Sequence, residues 1–206
     1  MESFIILIFQ LAILLMSVVI HEFAHGWMAF RLGDATAKNY GRLTLNPIKH
    51  LDLWGSLIVP FMIFVFSGGS AIFGWAKPVP FNPNNLRDQK YGIAKVAIAG
   101  PSANLLIALV FGLILRFNQS ELFISSGMAQ IFSLTIFLNI LLAVFNLIPL
   151  PPLDGSKILF TFLPDSLRDV RIFLEQYGMF VLLFFIFFAF EWVLPLIKLI
   201  YQLIVG

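Results

Sequence analysis

Long apolar runs dominate this sequence of 206 residues and limit the folds open to it. Hydrophobic residues make up 60% of the chain and charged residues only 12%, with a mean hydropathy of +0.94. A soluble domain carries about 25% charged residues, so too little polar surface is present to cover a water-soluble globule. We therefore predict an integral membrane protein in contact with the lipid bilayer. The net charge of +2 is small and the basic residues are scattered along the chain, which excludes a nucleic-acid-binding protein.

The lengths of the apolar runs predict an all-α polytopic fold with about four transmembrane helices, built as one domain over residues 1–206. The expected spans are residues 4–30, 93–117, 128–148 and 178–205, since about 20 apolar residues cross a bilayer. We expect the last span to bend near Pro195. The mixed-charge residues 156–176 are predicted to form a cytoplasmic helical segment. A signal peptide is disfavoured for the first run, because no cation precedes it and no small-residue cleavage site follows it.

Two shorter segments are predicted to associate with the membrane without forming a full span. The apolar run 53–66 is short for a crossing and is followed by Ser67-Gly68-Gly69-Ser70, so residues 53–76 are interpreted as a re-entrant segment, with a crossing hairpin as the alternative. Residues 39–46 alternate polar and apolar side chains, which predicts a short strand of a membrane-associated β-hairpin beside the site. Such a strand could hold a substrate in extended form. An amphipathic hairpin lying on the cytoplasmic leaflet is the alternative.

The positions of the cations predict the orientation in the membrane. Residues 31–95 and 156–176 contain 11 of the 13 Lys and Arg residues. These two segments share one side of the membrane if residues 53–76 do not cross it. Arg116 and Lys198 remain for the other side. Because cations favour the cytoplasmic side, we expect both termini to face outward.

A metal-binding motif interrupts the first span. His21-Glu22-Phe23-Ala24-His25 has the pattern H-E-x-x-H, and on a helix the two histidines share a face and can bind one metal ion. Glu22 is then placed to act as a general base on water. Three ionisable residues within a membrane span are energetically expensive, which favours a functional role for them.

A third metal ligand is expected because a catalytic zinc site uses three protein ligands and one open position. The chain has no cysteine to supply it. His50 lies in a polar loop and is predicted to be a surface or interfacial histidine, with a role near the site as the alternative. Asp154 follows the proline-broken segment 146–153. It lies at the cytoplasmic end of a span, at a depth similar to that of the two histidines, unless residues 53–76 make a single crossing, which would put it at the opposite face. The alternative is that Asp154 only caps the next helix.

The chain resembles the site-2 protease family of intramembrane zinc metalloproteases, especially its small bacterial and archaeal members. The resemblance rests on the H-E-x-x-H motif, on Ala-Gly-Pro-Ser-Ala-Asn at 99–104, and on the segment 146–155. It implies one zinc ion per chain, with His21, His25 and Asp154 as its ligands and Glu22 as the catalytic base. It also implies that Asn104 and Asn146 hold or polarise the scissile segment, although an intramembrane amide is as often a contact between helices.

The same resemblance implies regulated intramembrane proteolysis of transmembrane protein substrates in a prokaryotic cell membrane, with the active site toward the cytoplasm. We expect no PDZ or CBS domain, because neither the 117–128 connection nor the chain after Gly206 has room for one. The competing function is a membrane metal transporter or metal-binding protein that uses the same ligands. Such a protein would not need Glu22 as a base. An oligomeric state is not indicated.

Overall fold

The protein is a helical bundle in a computed structural model that describes residues 2–66, 77–117 and 126–206. No strand occurs in these three ranges. A π-helical stretch, Leu53–Ile58, leads into the third α-helix. The α-helices in chain order are α1 (Glu2–Arg31), α2 (Thr36–Asn39), α3 (Val59–Phe66), α4 (Gly92–Phe117), α5 (Ser126–Asn146), α6 (Asp154–Phe162), α7 (Arg168–Phe188) and α8 (Leu194–Val205).

Four segments of the described chain are long and apolar enough to cross a membrane. They are Ile8–Arg31, Gly92–Phe117, Gly127–Asn146 and Asp165–Phe188. The prediction of a mainly helical, multi-pass membrane protein with about four spans is therefore confirmed. The first three predicted spans coincide with α1, α4 and α5 to within a few residues.

The predicted last span is wrong in its boundaries. The candidate span begins at Asp165, inside the stretch predicted to be cytoplasmic, and α7 ends at Phe188. A short 3₁₀ turn, Phe190–Trp192, then separates α7 from α8. Pro195 lies in the first turn of α8, where its missing N–H costs nothing. Inside a continuous helix its ring would clash with the preceding turn, so the chain breaks ahead of Pro195 where we expected a bend.

The predicted β-hairpin strand at 39–46 is also wrong. Asn39 ends α2, and the residues that follow form turns and bends, with Gly41 at a φ of 64°. The Thr44 hydroxyl and the Asn46 side chain accept hydrogen bonds from backbone N–H groups two residues further on. Such local bonds compete with a strand ladder. The alternation in this segment therefore does not reflect a sheet.

The re-entrant prediction for residues 53–76 is tested only in its first half. Residues 53–66 are helical, and residues 67–76, where the reversal was expected, lie outside the described residues. The re-entrant segment therefore stays a prediction.

Helix α4 is the central element and positions the others. A core of Ala108, Ile136, Ile140, Val144 and Ile197 joins α4, α5 and α8. A second group of buried residues, Ala29, Leu86 and Val96, joins α1 and the loop before α4 to α4 itself. Helix α4 also packs against α6. This arrangement sets α1 and α6, which carry the predicted metal ligands, against neighbouring parts of one helix.

Candidate metal centre

The two histidines of the H-E-x-x-H motif lie one turn apart on α1 and point to the same place. Their Nε2 atoms are 3.0 Å apart, and both side chains are buried. The four-residue spacing of an α-helix produces this proximity directly. The H-E-x-x-H motif therefore supplies two of the three predicted metal ligands, as its spacing predicted.

Asp154 completes the group from a distant part of the chain. Its Oδ2 atom lies 3.1 Å from His21 Nε2 and 2.9 Å from His25 Nε2, and its side chain is also buried. Asp154 is the first residue of α6, and the N-cap position is taken by Leu153, which makes no side-chain capping bond. Asp154 therefore lies with the histidines and does not act as the N-cap that was its alternative interpretation.

The turn before α6 determines where Asp154 is placed. A Cβ atom on Gly155 would lie only 2.3 Å from the Leu147 carbonyl oxygen and 2.4 Å from that of Ile148. The backbone therefore approaches itself too closely here for any side chain. On the outer side, Gly178 of α7 packs directly on Pro151 of this turn. The prolines keep the segment out of helix, and the two glycines let it pack closely.

The donor set fits a zinc ion. Two imidazole nitrogens and a carboxylate oxygen are typical zinc ligands, and at Zn–ligand distances of about 2.0–2.2 Å the edges of a tetrahedron measure roughly 3.3–3.6 Å. The three ligand atoms are separated by 2.9–3.1 Å, which is close to such a face. In the described part of the chain they form the only group of three or more residues able to bind a metal in this way.

Gly100 of α4 keeps the space beside these atoms open. A Cβ atom at this position would lie 2.4 Å from His25 Nε2 and 2.6 Å from His21 Nε2. These distances are comparable to a zinc–nitrogen bond, so a side chain here would compete with the ion for its place. The sequence motif contained Gly100, but nothing in the sequence assigned it this role.

The remaining polar atoms of the three ligands are also engaged. His21 Nδ1 is 2.5 Å from Asn104 Oδ1, and His25 Nδ1 donates to the Val96 carbonyl at 2.7 Å. Hydrogen bonds of this type orient a metal-binding imidazole. Lys157, one turn along α6, donates to Asp154 Oδ1 at 2.9 Å, which leaves Oδ2 directed at the histidines.

Glu22 lies beside the ligand group without joining it. Its half-buried carboxylate accepts a hydrogen bond from the Val79 backbone N–H at 2.8 Å through Oε2. Val79 is flanked by Pro78 and Pro80, which lack N–H donors, so the donor of Val79 is the only backbone donor across 78–80. Nothing in the sequence assigns a role to Val79.

The other predicted residues fall into different positions. His50 was expected to be a surface or interfacial residue, which is wrong, because it is fully buried. Its Nε2 donates to the Thr44 carbonyl and its own carbonyl accepts from the Lys77 N–H, so the loop after α2 folds over it. Asn146 ends α5, where its amide donates to the Leu142 carbonyl. Neither residue belongs to the metal-binding group.

The polar residue that the sequence analysis missed is Asn139. It lies within the third apolar run, is fully buried, and contacts Asn104. An amide in the middle of a membrane span was the available signal.

A buried His–His–Asp group beside a glutamate, in a bundle with four helices long and apolar enough to cross a membrane, defines a metal site of the metallohydrolase class. Residues 9–121 and 118–189 match peptidase family M50, and the chain belongs to this family. The predicted family resemblance is thereby confirmed.

Three relatives illustrate the match. YwhC of Bacillus subtilis, whose name proposes a zinc metalloprotease, is 41% identical over 175 residues, which are 82% of this chain and 76% of YwhC. Rip2 of Mycolicibacterium smegmatis, similarly named, is 36% identical over 68% of this chain and 52% of its own length. MJ0392 of Methanocaldococcus jannaschii, named a zinc metalloprotease, is 28% identical over 71% of this chain and 32% of its own length. No solved structure matches the chain significantly.

Proposed function

We propose that this protein is an intramembrane zinc metalloprotease of the site-2 type, which hydrolyses peptide bonds in or near transmembrane segments of other membrane proteins. The observation that carries the proposal is the buried convergence of His21, His25 and Asp154 next to Glu22. Membership of peptidase family M50 and the metalloprotease names of its relatives support the reaction class and the identity of the metal.

The ligand set suits catalysis in an apolar environment. Zinc, when bound, supplies Lewis acidity that polarises a carbonyl group and makes water more acidic. His21 and His25 would hold it as neutral ligands, and the Asp154 carboxylate offsets part of its charge, which a low-dielectric site would otherwise leave uncompensated. Lys157 holds the second oxygen of Asp154, which favours ligation through one oxygen.

Glu22 is the residue that distinguishes a protease from a metal carrier. As general base, its carboxylate takes a proton from the attacking water and then donates it to the leaving amine. The Val79 N–H holds Oε2, and such an anchor limits the rotation of the carboxylate. A metal transporter or metal-binding protein would have no use for this group, so the site favours the protease over that alternative.

We further propose that residues 1–206 act as one catalytic domain with both termini outside and the site nearer the cytoplasmic face. His25 lies six residues before the end of α1, hence about 9 Å from it. Asn146, at the end of α5 and eight residues before Asp154, remains our proposed contact to the scissile segment. The substrates are proposed to be single transmembrane segments that unfold locally, because a helix with all its carbonyls bonded resists hydrolysis.

The test is a comparison of membrane proteomes from cells that carry the wild-type protein or the Glu22→Gln variant. We expect uncleaved substrates to accumulate in the variant, while its purified protein still contains zinc, because Glu22 is not among the ligands. Glu191→Gln, at an exposed position, is the matched control and should behave like the wild type. A metal-free Glu22→Gln protein would mean that Glu22 ligates the ion, which would favour the carrier function.

A further inference from the structure

A chain of buried amides runs from His21 through α4 into α5. Asn104 Oδ1 faces His21 Nδ1, and Asn104 Nδ2 donates to Asn139 Oδ1 at 2.8 Å and to the Ser17 carbonyl at 3.2 Å. Asn139 Nδ2 in turn donates to the Thr135 carbonyl at 2.8 Å and to the Ser17 hydroxyl at 2.9 Å. Both asparagines are fully buried, so water does not replace any of these bonds.

The direction of every bond in this chain follows from two backbone carbonyls. A carbonyl only accepts, so the Asn139 atom facing the Thr135 carbonyl is the NH₂ group, and Asn139 presents its oxygen to Asn104. The Ser17 carbonyl and this oxygen both require a donor, so Asn104 presents its NH₂ to them. Asn104 therefore turns its oxygen toward His21.

Because Asn104 presents its oxygen to His21, the ring of His21 must donate an N–H to that oxygen. Its proton is thus placed on Nδ1, and the lone pair of Nε2 points to the metal position. The competing tautomer would carry the proton on Nε2, where it would bond to Asp154 Oδ2 at 3.1 Å and block ligation. His25 needs no such relay, since its Nδ1 bonds directly to the Val96 carbonyl.

We propose that Asn104 and Asn139 are positioning residues, which hold His21 in the tautomer and orientation that bind the metal. Asn104 acts on the ring directly, and Asn139, on another span, acts through Asn104. We propose this role in place of the predicted substrate contact of Asn104, because both N–H groups of its amide are engaged and its oxygen faces His21. The inference rests on the proposed function, in which His21 is a zinc ligand.

The first experiment is a double-mutant cycle on zinc affinity. The full chain is purified in detergent, and zinc alone is titrated against a chelating dye for the wild type, Asn104→Ala, Asn139→Ala and the double variant. We expect Asn104→Ala to weaken zinc binding by about 10- to 100-fold and Asn139→Ala to weaken it less. In the Asn104→Ala background, Asn139→Ala should cause no further loss, since the residue through which it acts is gone.

Gln130→Ala is the matched control, because it removes an exposed amide from the same helix α5. It should leave zinc affinity unchanged. An Asn139→Ala protein with wild-type affinity, or with an equal loss in both backgrounds, overturns the proposal. If Asn139→Ala does not fold, Ser17→Ala takes its place in the cycle, because it removes one of the two acceptors of the Asn139 amide.

The second measurement is spectroscopic, and His25 is its internal reference for a general loss of stability, which would speed proton exchange at both histidines. The chain contains three histidines, so histidine labelled with ¹⁵N in the ring gives few signals from the zinc-loaded protein. We expect the Nδ1–H proton of His21 to exchange faster with solvent in Asn139→Ala, while that of His25 is unchanged. Equal exchange of His21 in variant and wild type contradicts the inference. A wild-type protein that binds no zinc would instead overturn the proposed function itself.

Discussion

At the scale of single residues, Gly100 is the position where the smallest change should have the largest effect. An added Cβ would lie 2.4 and 2.6 Å from the two histidine Nε2 atoms. We predict that Gly100→Ala abolishes zinc binding, with a loss of affinity beyond the roughly 100-fold typical of residues that merely support a ligand. Metal analysis of the purified variant checks this.

The control for Gly100→Ala is Gly127→Ala, at an exposed position in the first turn of α5 where a Cβ meets no atom of the described residues within 4 Å. The same substitution there should keep zinc, because the added methyl group lies outside the metal-binding group. A Gly100→Ala protein that retains stoichiometric zinc would show that the ion binds elsewhere.

Asp154 carries the second prediction at this scale. Asp154→Ala should lose both zinc and activity, because two imidazoles on one helix leave the ion under-coordinated. Asp165→Ala and Asp169→Ala should change neither, since both side chains are exposed and lie outside the metal-binding group. Zinc content and the absorption spectrum of a cobalt-substituted sample measure the outcome. Tetrahedral cobalt absorption in Asp154→Ala would mean that another residue is the third ligand.

At the scale of elements, Asp34 joins the end of α1 to the segment before α4. Its fully buried carboxylate accepts hydrogen bonds from the Asn82 N–H, the Asn85 side chain and Thr36. Burial alone would raise the pKa of Asp34, but these hydrogen bonds to its ionised form outweigh burial and hold the pKa below its ordinary value. The ionised form is thus the one that stabilises the fold.

We predict that Asp34→Asn lowers the free energy of unfolding by about 1–3 kcal/mol at pH 7, because hydrogen bonds to a charged group are lost. A depressed pKa in the folded state means that this stabilisation is present above the unfolded value of 3.8 and is lost as the pH falls below it. Thermal unfolding in detergent between pH 3 and pH 7 measures the gap between wild type and variant, which should close toward pH 3. Asp165→Asn, at an exposed position, should show no such gap, and a gap that is independent of pH for Asp34→Asn would contradict the assignment.

At the scale of the whole molecule, the cation-rich segments gather at one end of the bundle. The Arg87 N–H donates to the Leu32 carbonyl, and the ring of Tyr91, just before α4, contacts that of Phe162 at the end of α6. At the other end, Arg116 donates to the Leu203 carbonyl of α8. The metal-binding group lies nearer the first end, so the positive-inside tendency favours a site close to the cytoplasm.

The corresponding prediction is that single cysteines at Asn84 and Ser166 react only with a reagent on the cytoplasmic side, whereas a cysteine at Gly127 reacts only from outside. The experiment is free of background, because the chain has no native cysteine. All three positions are exposed in the structure, so a negative result would not come from burial. Labelling of the Asn84 cysteine from outside alone would refute the orientation and the non-crossing interpretation of residues 53–76.

The properties that depend on neighbours in sequence could be predicted without the fold. Helical periodicity places His21 and His25 on one face, and apolar length alone indicates α1, α4 and α5 as spans. The same local reasoning failed where two local preferences compete. Alternation at 39–46 favoured a strand, but Gly41 and the side chains of Thr44 and Asn46 redirect the backbone into turns. At the last predicted span, α7 ends before Pro195 and α8 begins beside it, where a bend in one continuous helix was expected.

Only the tertiary structure decides which distant groups meet. Asp154 approaches His21 across 133 positions of sequence, and the resemblance to a family suggested this pairing without giving its distance. Gly100 and Val79 carry no local signal of their roles, because a helical glycine and a valine between prolines occur in many contexts. The amide of Asn139 in a membrane span indicates a buried contact but not its partner. Their roles depend on tertiary packing. Helix α5 brings Asn139 to Asn104, α4 brings Gly100 to the two histidines, and the segment before α4 brings the Val79 N–H to Glu22.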